Sequence, residues 1–126
     1  MSDLTRTEVI KLIAIATKPL NLTGVDLSGV DLSWLDLTGA RLAFANLTTT
    51  NLTGAILTKA WLLGANLTGA NLDRSVLDKA DLINTNLTGA NLINTNLNGA
   101  TLNGADLTGV DLTYAWLGDV KGYKKL

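Results

Sequence analysis

The sequence predicts an all-β solenoid, a fold in which the chain winds into stacked coils. Leucine occupies every fifth position from Leu22 to Leu117, which makes 20 consecutive units. In each unit the first residue is small or aliphatic, the second is usually Asn or Asp, the third is Leu and the fourth is usually Thr or Ser. The fifth residue is Gly in ten of the 20 units. A period of five fits neither the 3.6-residue period of a helix nor the two-residue period of a strand. We therefore expect each unit to contain a short extended step and a corner, where Gly permits a positive φ.

Composition excludes several classes of protein. A chain of 126 residues predicts one domain. It contains no Cys and no His, which excludes disulfides, Cys/His zinc sites, thiol nucleophiles and imidazole bases. The net charge of −1 argues against direct binding of nucleic acid. The N-terminal apolar stretch is far shorter than the ~20 residues of a membrane span and lacks the features of a signal peptide. We expect a cytoplasmic protein without a membrane contact.

Departures from the repeat recur 20 residues apart. Ile56 precedes Val76 by 20 positions, and Leu63 precedes Ile83 by the same interval. If unusual residues stack on one another, one coil contains 20 residues and four corners. Residues 20–119 then form about five coils, each about 4.8 Å from the next.

The unit as a whole resembles the pentapeptide-repeat family, whose pattern is Ala, Asp or Asn, Leu and two variable residues. The resemblance covers residues 20–119. The chain is similar to the cyanobacterial-type members of the family, whose function is unassigned. It implies a right-handed quadrilateral parallel β-helix with four units per coil. The implied organisation is an N-terminal capping helix at 1–19, a β-helix at 20–119 and a C-terminal tail or cap at 120–126.

The N-terminal segment has the pattern of one amphipathic helix. Thr5 and Glu8 have the spacing of a capping box. From Arg6 to Thr17, one helical face carries Val9, Leu12, Ile13 and Ala16. Pro19 blocks any continuation. Because an open β-helix exposes unpaired edge groups, we expect this helix to cover the first coil.

The C-terminal segment contains Val120, Tyr123 and Leu126 as apolar residues. These residues either cover the last coil or form a contact with a second copy of the chain. The resemblance implies that the second role is possible, because members of the family associate through this end. A homodimer is therefore one expectation.

The Asn residues that precede the leucines are expected to form outward columns. With 20 residues per coil, two such columns are Asn46–Asn66–Asn86 and Asn51–Asn71–Asn91. Stacked amides can hydrogen-bond along a column, as they do in other stacked β structures. The other interpretation is that these side chains only make the surface soluble.

The sequence offers no catalytic constellation, so we expect a protein that is not an enzyme and needs no cofactor or metal. Asp26, Asp31 and Asp36 lie on three different faces of the coil and cannot share a proton or a metal ion. No base is placed to activate a Ser or Thr, and no phosphate-binding loop occurs. No small-molecule substrate is evident.

The informative residues are outward positions that depart from the polar pattern. One face carries Arg41, Phe44, Trp61, Leu63 and Ile83, and the face before it carries Ile56, Val76 and Trp116. Contiguous exposed apolar surface indicates a partner site, and Trp and Arg are frequent anchors of such sites. Two other interpretations stay open: a terminal segment covers these residues, or β-propensity alone placed them.

These observations predict a binding or structural scaffold module that presents flat faces to a protein partner. The alternative is a DNA mimic that binds a type II topoisomerase, as the resemblance implies for some members that protect against quinolones. Against the alternative, the repeat has only about five coils and a net charge of −4 between positions 20 and 118. Its centres are all Leu, and no loop interrupts it.

Overall fold

Successive coils pair through parallel bridges between residues 20 positions apart. The computed structural model describes residues 2–123. Four columns of bridges run along the stack, beginning at Asn21, Asp26, Asp31 and Asp36 and ending at Lys121, Asp106, Asp111 and Trp116, respectively. The result is the expected right-handed quadrilateral β-helix of five coils. Each extended step is too short to form a strand, so the pairing consists of isolated bridges.

The four faces are named after their central leucines. Face A is centred on Leu22, Leu42, Leu62, Leu82 and Leu102. Faces B, C and D are centred on the leucines five, ten and fifteen residues further along each coil.

Hydrogen bonds between coils use most of the backbone. The Leu47 N–H donates to the Asn66 carbonyl of the next coil at 2.7 Å, and the Asn66 N–H donates back to the Ala45 carbonyl at 3.0 Å. The fifth residue of a unit also donates its N–H to the next coil. Within each corner the chain turns on a local bond, such as Thr50 N–H to the Leu47 carbonyl at 3.1 Å.

Where Asn or Asp precedes the leucine, its side-chain oxygen accepts the N–H of the residue after the leucine, which has no backbone acceptor in the neighbouring coil. In the unit of Leu67, Asn66 Oδ1 accepts the Thr68 N–H at 3.0 Å and the Thr68 hydroxyl at 2.6 Å. This Asx turn gives a physical reason for both the Asn/Asp and the Thr/Ser of the repeat.

The Asn columns stack as expected, but their hydrogen bonds differ from the expectation. Asn46 pairs with Asn66, and Asn66 pairs with Asn86. Their amide oxygens accept from the residue two positions later in the same coil. Within residues 2–123, the hydrogen bonds include none between stacked amides. The predicted amide ladder is therefore wrong in its bonding, because the local turn uses the oxygen.

The core lies along the axis of the coils. The central leucines of the inner coils are fully buried, and Leu72 is 0% exposed. Small inward residues, mostly Ala, fill the space beside them. Where Thr replaces Ala, its hydroxyl has a partner, as when the Thr95 Oγ1 donates to the Leu72 carbonyl at 2.7 Å.

The corners keep a left-handed conformation even without Gly. Among the described residues, ten other than Gly have a positive φ, including Trp34 at 63° and Phe44 at 59°. The next coil has Gly at the stacked position in both cases. A Cβ added to Gly54 would overlap the ring of Trp34, and one added to Gly64 would overlap Phe44. Each ring therefore lies flat over a glycine.

The N-terminal helix, α1, spans Arg6–Ile15 and has the predicted capping box. The Thr5 Oγ1 accepts the Glu8 N–H at 3.2 Å, and Glu8 Oε1 accepts the Thr5 N–H at 3.1 Å. The helix ends two residues before Thr17. Ala16 is extended and exposed, so it does not share the buried face.

Helix α1 is fixed to the first coil by packing and by polar contacts. Val9 is 0% exposed within the core cluster. The Arg6 guanidinium donates to the carbonyls of Asp31 and Ser33, both at 3.0 Å. Asp3 Oδ2 accepts the Asp26 N–H at 2.8 Å. The first coil is thus covered, as the sequence predicts.

The last coil is less covered than the coils below it. Leu107, Leu112 and Leu117 are only half-buried, whereas their counterparts one coil earlier are buried. Val120 and Tyr123 pack against the edge of the core. Leu126 lies outside the described residues.

Candidate binding surface

The structure brings five of the eight predicted surface residues together on face A. We call Arg41, Phe44, Trp61, Leu63 and Ile83 the face-A patch. Arg41 forms a bridge with Trp61 of the next coil. Leu63 and Ile83 occupy equivalent positions in consecutive coils, and Leu63 precedes Gly64, over which the Phe44 ring lies.

The other three predicted residues lie on face D. Ile56 and Val76 form a bridge in adjacent coils, and the corner containing Lys59 and Ala60 separates Ile56 from face A. Trp116 stands two coils beyond Val76, with Asn96 between them. The structure therefore places Trp116 apart from the patch.

The patch is open to solvent in the described part of the chain. Phe44 is 65% exposed and Trp61 is 51% exposed, while Leu63 and Ile83 are half-buried by their neighbours. Helix α1 covers the end of the first coil and leaves this face uncovered. The interpretation in which a terminal segment covers the patch does not hold for residues 2–123.

Arg41 and Trp61, which are stacked in adjacent coils, form a cation–π pair. The guanidinium carbon lies 4.7 Å from the centroid of the Trp61 ring. Such a contact contributes about 0.5–1 kcal/mol at an exposed site. It holds the ring as a platform on face A and orients the guanidinium along the surface.

The apolar and basic residues in the second position of a unit leave a backbone group without its usual acceptor. Arg41, Ile56, Trp61 and Val76 have no side-chain oxygen for the Asx turn. Within residues 2–123, no hydrogen bond is made by the N–H two positions after each of them. A typical hydrogen bond contributes about 0.5–1.5 kcal/mol net. These four side chains therefore remove a backbone hydrogen bond that Asn or Asp would provide. This loss argues against β-propensity as the only reason for their presence.

Two exposed aromatic residues escaped the sequence analysis. Trp34 is 65% exposed and Tyr114 is 78% exposed. Both stand at the fifth position of a unit on face C, where Gly is usual. The replacement of Gly by an aromatic residue is visible in the sequence. The sequence does not show that the Trp34 ring lies over Gly54 of the next coil.

The carboxylates do not converge on a site. Asp26, Asp31 and Asp36 lie on faces B, C and D, as predicted, and residues 2–123 contain no cluster of three potential metal-ligating side chains. Hydrogen bonds from the Ser28 hydroxyl and N–H hold the pKa of Asp26 below its usual range. The Thr108 hydroxyl and N–H lower the pKa of Asp106 in the same way.

These lowered pKa values predict a loss of stability in acid. A carboxyl whose pKa is lower in the folded chain stabilises the fold above its ordinary value of 3.8. That contribution is lost as the pH falls through the folded pKa. We expect the free energy of unfolding, measured with urea, to fall below about pH 4. The variant Asp106→Asn/Asp111→Asn should show a shallower fall, because Asn forms the same turn in other coils. An identical acid profile for both proteins would contradict this explanation.

The model of the pentapeptide repeats family matches residues 20–54, 50–89 and 85–121, with eight copies. The matches cover well over half of the chain, so the protein belongs to the pentapeptide repeat family. No curated protein matches the sequence.

Solved structures of the family resemble this chain. Rfr23, a pentapeptide repeat protein from the cyanobacterium Cyanothece 51142, is 30% identical, with a TM-score of 0.83 over 93% of this chain and 95% of that one. A pentapeptide repeat protein from the Arabidopsis thaliana thylakoid lumen is 35% identical, with a TM-score of 0.61 over 79% and 66%. A Nostoc protein, alr5209, is 27% identical, with a TM-score of 0.48 over 88% and 74%.

Within residues 2–123, none of the helical structure is both long and apolar enough to span a lipid bilayer.

Proposed function

We propose that this protein is a non-enzymatic binding module whose face-A patch contacts a protein partner. The observation that carries the proposal is the exposed apolar patch on one face of a repeat that mostly places Asn, Asp or Thr outward. Trp and Arg, which are frequent energetic centres of interfaces, meet at its middle as a stacked pair. Ile56 and Val76 form a second apolar pair on face D, across the corner that contains Lys59.

The chain contains a matched pair of residues for testing the proposal. Ile83 on face A and Ile93 on face C lie in the near-identical segments DLINTNLTGA and NLINTNLNGA. Both side chains are half-buried, and both N–H groups donate to the side chain two residues earlier. The variants Ile83→Asp and Ile93→Asp therefore make the same chemical change on two different faces.

The experiment is capture of a partner from native extract by immobilised wild type, Ile83→Asp and Ile93→Asp, each first shown to melt cooperatively. We expect the partner to be lost with Ile83→Asp and retained with Ile93→Asp. Equal retention by the two variants would refute face A as the contact surface. Loss with both would also refute it, because face C would then contribute equally.

A second copy of the chain is an alternative partner, through the end that carries Trp116, Val120 and Tyr123. The support is the half-buried state of Leu107, Leu112 and Leu117 in the last coil. Sedimentation of the purified wild type and Ile83→Asp separates the two. A wild-type dimer that Ile83→Asp leaves intact would exclude face A as the site of self-association and leave the C-terminal end as the proposed contact.

The charge distribution does not favour the DNA-mimic alternative. Face B carries Asp26 and Asp106 only in the first and last coils, and the three coils between them carry Asn at this position. Face C repeats the arrangement. Duplex DNA has one negative charge per about 1.7 Å of its axis. A surface whose middle coils carry neutral Asn does not reproduce that density.

A further inference from the structure

A surface pocket opens at the base of the face-A patch, where the chain passes from α1 into the first coil. Its volume is about 480 Å³, and it is lined by Lys18, Pro19, Asn21, Gly39, Arg41 and Trp61. Asn21, Arg41 and Trp61 form consecutive rungs of one outward column, so they make one wall of the pocket. Lys18, Pro19 and Gly39 make the other wall.

The walls of the pocket are fixed by backbone contacts. The Arg41 N–H donates to the Leu20 carbonyl at 2.8 Å, which fixes the segment before Asn21 along the second coil. Pro19 packs closely over Gly39, since a Cβ added there would lie 3.2 Å from its Cγ. The Trp61 ring is held under the Arg41 guanidinium at 4.7 Å. The pocket is therefore part of the fold and does not depend on a mobile side chain alone.

Every polar side chain that lines the pocket presents hydrogen-bond donors. Lys18 and Arg41 have only donors. The Asn21 Oδ1 already accepts the Thr23 N–H at 3.2 Å and the Thr23 hydroxyl at 2.7 Å, which leaves the amide NH₂ of Asn21 available. Donors from three side chains around an apolar ring match an oxyanion attached to an apolar body.

The two cations of the pocket lack a carboxylate partner in the described part of the chain. The ion pairs of residues 2–123 join Arg6 to Asp31 and Arg74 to Asp73, and neither Lys18 nor Arg41 takes part in one. Two acids lie close to the pocket: Asp36 lines an adjoining pocket with Lys18, and Asp81 is the next rung after Trp61 in the outward column. The charge of the lining itself is +2, on a protein whose net charge is −1.

We infer that this pocket receives a carboxylate from the partner of the face-A patch, carried on an acidic side chain that is flanked by apolar residues. The inference rests on the proposed function and specifies the chemistry of the partner. The carboxylate lies between Lys18 and Arg41 and accepts from Asn21, while the apolar neighbours lie on Trp61 and Leu63. A bare oxyanion would use the donors but would leave the aromatic ring and the adjoining apolar patch without a contact.

The test is an NMR titration of the ¹⁵N-labelled full chain with three probes. The first is an acetylated and amidated tripeptide with one glutamate between two leucines. The second has glutamine in place of glutamate, and the third is inorganic phosphate. We expect the glutamate peptide to shift the Gly39 amide and the Trp61 indole signals. We expect it to bind about tenfold more tightly than the glutamine peptide, because two cations pair with its carboxylate.

Variants separate the pocket from general charge effects. Lys18→Gln and Arg41→Gln should each weaken the glutamate peptide about threefold to fivefold and leave the glutamine peptide unchanged. Arg41→Lys should restore part of the loss, since the ammonium keeps the charge without the planar fork. Arg74→Gln is the matched control, because it removes the same charge on another face, and it should bind as wild type does.

Four results would overturn the inference. The first is equal binding of the glutamate and glutamine peptides, and the second is wild-type affinity of Arg41→Gln for the glutamate peptide. The third is the same weakening in Arg74→Gln. The fourth is the absence of any shift at Gly39 or Trp61 at about 10 mM peptide, a concentration at which binding through so few contacts should be detectable. Phosphate binding as tight as that of the glutamate peptide would show a simple oxyanion site and refute the apolar part. If capture is lost with Ile83→Asp but persists with Arg41→Gln, the proposed function holds and only the pocket assignment fails.

Discussion

The variant Leu72→Asp is expected not to fold. Leu72 is 0% exposed in the third of five coils, with leucines stacked above and below it on face C. An ionised carboxylate at the axis would have no partner, and burial of such a charge costs far more than a domain's marginal stability. Loss of one coil also removes the surface on which its neighbours bury their own leucines. Circular dichroism and urea titration should show no cooperative transition.

Position in the stack supplies the control for this prediction. Leu72→Ala should fold and lose about 2–5 kcal/mol of unfolding free energy, because it leaves a cavity in a packed core. Leu112 lies on the same face in the last coil and is only half-buried. Leu112→Ala should therefore lose less, about 1–2 kcal/mol. A native spectrum and a cooperative transition for Leu72→Asp would contradict the inward placement of the leucines.

The variant Gly54→Val is expected to be strongly destabilised. Gly54 has a φ of +65°, and a Cβ there costs about 1–2 kcal/mol by itself. The Cβ would also overlap the Trp34 ring, which must then leave its place over Gly54. We expect a total loss of about 2–4 kcal/mol in the free energy of unfolding.

A double-mutant cycle separates the two causes. Trp34→Ala removes the ring but leaves the backbone strain, so Gly54→Val should cost less in that background by about 1 kcal/mol or more. Gly24→Val is the control for strain alone. Gly24 has a φ of +72° and no atom within 4 Å of an added Cβ. Equal costs for Gly54→Val and Gly24→Val would show that the ring contact contributes nothing.

The fold can be predicted from the sequence because the same five-residue pattern occurs 20 times in succession. The spacing of Ile56 to Val76 and of Leu63 to Ile83 predicts four units per coil, and the bridges confirm it. The capping box at Thr5 and Glu8 likewise depends only on residues three positions apart. The right-handedness of the β-helix was inferred from the family resemblance, since the spacing of residues along a sequence does not distinguish a right-handed coil from a left-handed one.

The details that the sequence did not predict depend on contacts between coils. Asn66 accepts the Thr68 N–H because of the orientation of the backbone N–H groups in the coil, and the amino-acid pattern does not contain that orientation. The same is true of Trp34, whose exposed ring has meaning only over Gly54. The pocket escaped because Lys18 belongs to the segment after α1, and its approach to Arg41 depends on how the helix docks.

The central claim is that the face-A patch serves binding and is not required by the fold. The most direct measurement is the free energy of unfolding of the triple variant Trp61→Asn/Leu63→Thr/Ile83→Thr, which gives face A the polar residues of the repeat. The variant loses apolar contacts and the Arg41–Trp61 pair. It gains one Asx turn at position 61 and a threonine hydroxyl bond to Asp81, which already accepts the N–H at position 83, and such bonds contribute about 0.5–1.5 kcal/mol each. We expect an unfolding free energy within about 1 kcal/mol of wild type, together with loss of the captured partner. A loss of more than about 2 kcal/mol would show that these residues hold the fold together, and it would contradict the claim.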